Sequence, residues 1–141
     1  MTLVVDSSAL AASLAYSDED ARWAQTILAN DDLAGPHLLP AEVANILRRA
    51  ALHGDLSRVS AGLAHQELLE LPLNLFPYEP LARRIWELRD NVTTYDAWYV
   101  ALAEQLGAPL VTLDRKLATA NGPLCEFLTP RRSDSFETGM E

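Results

Sequence analysis

The sequence holds one cysteine, Cys125, so no disulfide forms within the chain and stability must come from an apolar core. It holds one lysine, Lys116, and its 11 Lys and Arg face 20 Asp and Glu, for a net charge of −9. That balance argues against a surface that grips nucleic acid by bulk positive charge. It does not exclude a nuclease whose acids gather around a metal, and it suits a basic protein partner. No apolar run approaches the roughly 20 residues that cross a membrane. The first residues do not read as a signal peptide either: no Lys or Arg precedes Leu3, and Asp6 breaks the apolar stretch. These features and the lone thiol lead us to expect a cytoplasmic protein. The three histidines, His37, His53 and His65, lack zinc-ligand spacing.

What is present is enough for one domain: 141 residues, 49% of them hydrophobic. Leu3-Val4-Val5 reads as a short buried strand. Helices are expected over residues 7–14, 17–30, 40–53, 57–71, 81–89, 94–106 and 115–119. Further strands are expected over 33–39, 72–76, 110–113 and 124–128, the second of these with Leu73 and Leu75 alternating. Strands alternating with helices predict an α/β fold, with a mostly parallel sheet covered by helices on both faces. The domain spans 1–128, and residues 129–141 form a polar tail.

Four acids fall where such a fold builds its sites. Asp6 and Asp114 end apolar strands, while Glu42 and Asp96 open the helices of PAEVANILRR and TTYDAWYVALAEQL. Each also has an ordinary use, as a helix cap or as a charge complementing a helix dipole. Ser7 or Ser8 can cap the first helix in place of Asp6, and Thr93 or Thr94 can cap the helix of Asp96. If the four meet, two carboxylates about 4 Å apart repel by about 4 kcal/mol at an effective dielectric near 20. Such a cluster takes up protons or binds cations, and oxygen donors suit Mg²⁺ or Mn²⁺. Asn45 lies one turn beyond Glu42 and Arg49 about two turns beyond, so both share its helix face and are candidate phosphate contacts, with Arg115.

The stretches VVDSSAL, PAEVANILRR and TTYDAWYVALAEQLGAPLVTLDRKLA resemble, in order and spacing, the PIN-domain proteins, specifically the VapC-type toxin ribonucleases. The resemblance covers roughly residues 1–128 and implies a PIN-like three-layer fold. It places the family's acidic set on Asp6, Glu42, Asp96 and Asp114, with none replaced. Ser8 matches a hydroxyl residue two positions after the first acid, and Thr112 the threonine before the last. The resemblance implies Mg²⁺- or Mn²⁺-dependent hydrolysis of RNA, leaving a 5′-phosphate and a 3′-hydroxyl. It also implies a homodimer, and inhibition by a cognate antitoxin bearing a basic segment.

Two other classes remain. A non-catalytic PIN-fold interaction domain would bind a partner only, although intact acids count against it. Phosphotransfer through an aspartyl phosphate at Asp6 would need companions that Ser8 and Lys116 do not supply.

Overall fold

Leu3, Val4 and Val5 are almost wholly inaccessible, because strand β1 (Thr2–Val5) runs through the middle of a sheet covered on both sides. The computed structural model describes residues 1–131. After β1 come helices α1 (Ser7–Ala15) and α2 (Glu19–Leu28), strand β2 (Asp32–Pro36), and helices α3 (Leu39–Leu52) and α4 (Arg58–Glu70). Strand β3 (Asn74–Phe76), a 3₁₀ turn (Glu79–Leu81) and helices α5 (Ala82–Glu87) and α6 (Thr94–Leu106) follow. Strand β4 (Leu110–Val111), helix α7 (Arg115–Ala118) and strand β5 (Phe127–Leu128) complete the order.

The five strands lie in the order β3-β2-β1-β4-β5, every pair parallel. Thr2 pairs with Asp32 on one side of β1, and Val5 with Val111 on the other. From β1 the chain first moves outward to β2 and β3, then returns across the sheet to β4 and β5. Right-handed crossovers therefore put α1–α4 on one face and α5–α7 on the other. Contacts of α1 with α2, α3 and α4, and of α5 with α6, divide the helices the same way. The reversal of winding falls between β1 and β4. An open parallel sheet leaves a crevice at the carboxyl ends of its strands at that point.

Local chemistry sets the element ends. Thr93 caps α6 through a bond from the Asp96 N–H, and Gly107 ends it at φ +61°, a left-handed conformation suited to glycine. Pro40 sits in the first turn of α3, where its missing N–H costs nothing. Gly35 lets α3 descend onto the sheet: a Cβ there would lie 2.5 Å from a methyl of buried Leu39.

Each expected element is present, with shifted bounds. The strand expected over 110–113 stops at Val111, because the Asp114 N–H turns back to the Thr112 hydroxyl. The strand over 72–76 shortens to Asn74–Phe76, and Leu75 is exposed because β3 is an edge strand with one neighbour. The last strand shortens to Phe127–Leu128, and Leu124 is solvent-exposed. The helix expected over 81–89 begins as the 3₁₀ turn and ends at Glu87. The tail expected at 129–141 lies outside the described residues from 132 on. Among the described residues no helix is long and apolar enough to cross a membrane.

Candidate active site

Asp6 follows β1 directly and is 6% exposed. Its side chain is the cap of α1: Oδ1 accepts from the Ala9 N–H at 3.0 Å and from the Ser8 hydroxyl at 2.7 Å. The alternative caps Ser7 and Ser8 do not take that place; Ser8 serves Asp6 instead. The Oδ2 atom accepts a very short bond from the hydroxyl of Thr112, itself fully buried after β4. That bond spans the crevice where the winding reverses. The Ser8 oxygen accepts in turn from the Leu113 N–H at 3.1 Å. Asp6, Ser8 and Thr112 thus lace β1 to β4 at their carboxyl ends.

Asp114 stands two residues further along. Its Oδ1 caps α7, accepting from the N–H groups of Lys116 at 2.9 Å and Leu117 at 3.1 Å. The residue is exposed, and its second oxygen faces no capping duty. Asp96 lies in the first turn of α6 and is half-buried. Glu42 lies in the first turn of α3, and its Oε1 accepts from the Tyr99 hydroxyl at 2.7 Å.

Electrostatics ties the four together. The Asp96 carboxyl is pushed up to about 6, first by burial and then by the charges of Asp114, Asp6 and Glu42. Burial raises Asp6 as well; hydrogen bonds from Thr112, Ser8 and Ala9 offset part of that, and Asp114 adds to it. Burial and the Glu42 carboxylate raise the Tyr99 phenol, so it stays a neutral donor. The acids are close enough to feel one another. Among the described residues, though, no three His, Cys, Asp or Glu side chains converge closely enough to hold a metal ion as they stand. Most of the oxygens of Asp6 and Asp114 face hydrogen-bond donors rather than a common point.

Two hollows flank the acids. One, of about 460 Å³, is lined by Asp96, Asp114, Lys116, Arg89 and Asn91. The other, of about 350 Å³, is lined by Glu42, Asn45, Arg49 and Tyr95. The adjacent residues Tyr95 and Asp96 contribute one to each. Asn45 and Arg49 are therefore placed beside Glu42. Arg115 is engaged elsewhere, its guanidinium donating to the carbonyl of Pro130 at 2.5 Å.

Sequence reasoning passed over Tyr99. Its signal was legible: a tyrosine three residues after Asp96, one turn along an apolar helix, needs a partner for its buried hydroxyl. Lys116, the one lysine of the chain, lines the hollow of Asp96 and Asp114.

The sequence matches the PIN domain over residues 3–123. It is 44% identical over 125 residues to Ribonuclease VapC1 of Mycobacterium tuberculosis, covering 88% of this chain and 94% of that protein. The fold is similar to the crystal structure of PAE2754 from Pyrobaculum aerophilum, at 27% identity and a TM-score of 0.66 over 90% of this chain and 83% of that one. It is also similar to that of VapBC2 from Rickettsia felis bound to a DNA fragment from their promoter. There the identity is 14% and the TM-score 0.62, over 90% of this chain and 98% of that one.

Proposed function

The chain belongs to the PIN-domain family, among its VapC-type ribonucleases, and on that premise we propose that Asp6, Glu42, Asp96 and Asp114 form a divalent-metal site that hydrolyses RNA phosphodiester bonds. The observation that supports the reading is the gathering of the four acids at the ends of β1 and α7 and in the first turns of α3 and α6, close enough that Asp96, raised first by burial, is raised further by the charges of Asp114, Asp6 and Glu42. Among the described residues none of the four carboxylates forms an ion pair, and such a set of oxygen donors suits Mg²⁺ or Mn²⁺. The donor set fits in chemistry. In arrangement it requires a turn of the exposed Asp114 or the half-buried Asp96 and Glu42 toward a common point. A bound cation supplies positive charge against the phosphate and lowers the pKa of a coordinated water.

The chain's own groups have separable tasks. Asp6 is fixed by Ser8, Ala9 and Thr112 and provides an immobile negative charge at the floor of the crevice. This rigidity and burial also make Asp6 a poor phosphoryl acceptor, since both of its oxygens accept hydrogen bonds. Tyr99 holds Glu42. Asn45 and Arg49, and in smaller measure Arg115, contact phosphates. Water is the nucleophile, and the products carry a 5′-phosphate and a 3′-hydroxyl.

The domain covers residues 1–128, acts as a homodimer in the cytoplasm, and is restrained by an antitoxin whose basic segment meets the acidic site. The net charge of −9 supports a basic inhibitor. The test is metal-dependent cleavage of RNA by purified protein. Asp6→Asn, Asp96→Asn and Asp114→Asn each abolish it with the fold retained, and Glu42→Gln reduces it strongly. Cleavage at the wild-type rate by any aspartate variant removes that residue from the site.

A further inference from the structure

Tyr95 and Tyr99 lie one turn apart on α6, on the same helix face, yet they have opposite surroundings. Tyr99 is 1% exposed and bonds Glu42. Tyr95 is 61% exposed and continues that face outward, into the hollow on the Glu42 side of the acids. The fold therefore holds a large aromatic ring in water immediately beside Asp96, where core packing does not account for it. The rest of the hollow is mixed in chemistry. Leu38 and Ile46 supply apolar surface, Asn45 an amide that both donates and accepts, and Arg49 a guanidinium. Its volume of about 350 Å³ lies at the lower end of the range for small-molecule pockets, and suits one nucleotide unit.

Resting on the ribonuclease reading above, we propose that this hollow is a nucleotide subsite for single-stranded RNA, with Tyr95 as its base-stacking residue. A base laid on the Tyr95 ring presents its edge to the carbonyl oxygen of the Asn45 amide, whose NH₂ group donates to the phosphate. Arg49 then meets the phosphate on the side of that nucleotide away from the acids. This solves a problem set by composition. A chain with a net charge of −9 cannot hold RNA by bulk attraction, so apolar stacking, which does not depend on charge, has to supply part of the binding. Stacking requires an unpaired base, so the subsite selects single strands and loops over duplex. It also tolerates every base, leaving sequence preference to the Asn45 amide.

The test uses the full chain carrying Asp114→Asn, in Mg²⁺, with two fluorescent probes. One is a mixed-sequence 12-nucleotide single-stranded RNA, and the other an abasic ribose-phosphate strand of the same length and charge. Anisotropy is expected to show tighter binding of the base-bearing strand. Adding Tyr95→Ala weakens that binding by about 5-fold to 150-fold while leaving the abasic strand unchanged. Tyr95→Phe and Tyr95→Trp retain the difference. Because the ring is exposed, its removal leaves the core intact, and an unchanged melting temperature checks this.

Equal affinity of the tyrosine and alanine forms for base-bearing RNA overturns the proposal, as does an absence of RNA binding. Unchanged RNA affinity with weakened capture of the co-expressed antitoxin assigns the hollow to the protein partner instead, and also overturns it. Failure of the ribonuclease reading shows separately, as absence of metal-dependent cleavage by the wild-type chain.

Discussion

Neutralising Asp96 should make the metal-free protein more stable at neutral pH and no more stable in acid. The cause is the rise of its carboxyl from 3.8 to about 6 on folding, through burial and three neighbouring acids. Below pH about 4 the group is protonated in both states, and the penalty is absent. Between about 4 and 6 the unfolded chain ionises first, so the folded state binds more protons and loses relative stability as pH rises. Above about 6 the whole penalty applies. Two pKa units at about 1.36 kcal/mol each set a ceiling of about 3 kcal/mol. Solvent in the open groove screens this to about 1–2 kcal/mol. For a chain of this length that corresponds to a melting temperature about 3–8 °C higher for Asp96→Asn than for wild type at pH 7 in EDTA. The two should converge at pH 4. The assay is a pair of melting curves across pH 4–8, with and without Mn²⁺. The metal should close or reverse the gap, since it binds the folded wild type more tightly than the variant. Midpoints that run parallel at every pH would refute the claim that Asp96 is held against its neighbours' charge.

Three further outcomes follow from particular contacts. Thr112→Val keeps the volume of a fully buried side chain but strips Asp6 Oδ2 of its donor and the Asp114 N–H of its acceptor. Urea unfolding should show a loss of about 1–3 kcal/mol. Tyr99→Phe frees Glu42 and should weaken Mn²⁺ binding, read by calorimetry, about 10-fold to 100-fold with little change in fold. Arg49→Ala should flatten the salt dependence of RNA binding by about one unit. Arg115→Ala should flatten it less, because that guanidinium is already committed to the Pro130 carbonyl.

The frame was legible because it is written in local chemistry. The bounds of α6, from the threonine cap to the Gly107 turn, are stated by the residues at its two ends. β1 and β4 are short apolar runs closed by polar residues, and their placement at the switch of winding follows from handedness alone. The edge strand was less legible. Residues 72–76 look like a strand with one buried face, but a strand with a single partner leaves Leu75 open to solvent. Which side chain caps α1 was not legible either. Asp6, Ser7 and Ser8 all suit a cap, and the choice is made by Thr112, 106 residues away, which fixes the Asp6 carboxylate from across the sheet.

That long-range fixing bears on how the acids divide their work. Among the described residues, Asp6 is the only one of the four held at both oxygens, by Ser8 and Ala9 at the start of α1 and by Thr112 just after β4. Moving it means disturbing the join between β1 and β4. Asp114 is exposed and keeps one oxygen free of capping, while Asp96 sits in the first turn of a helix already capped by Thr93. The rigid charge is thus built into the sheet, and the adjustable charges come from element ends around it. A cation that draws the adjustable side chains inward gains carboxylate ligands without opening the core. The same arrangement explains why repulsion collects on Asp96: it is half-buried, negatively charged, and ringed by the acids that cap α1 and α7 and open α3.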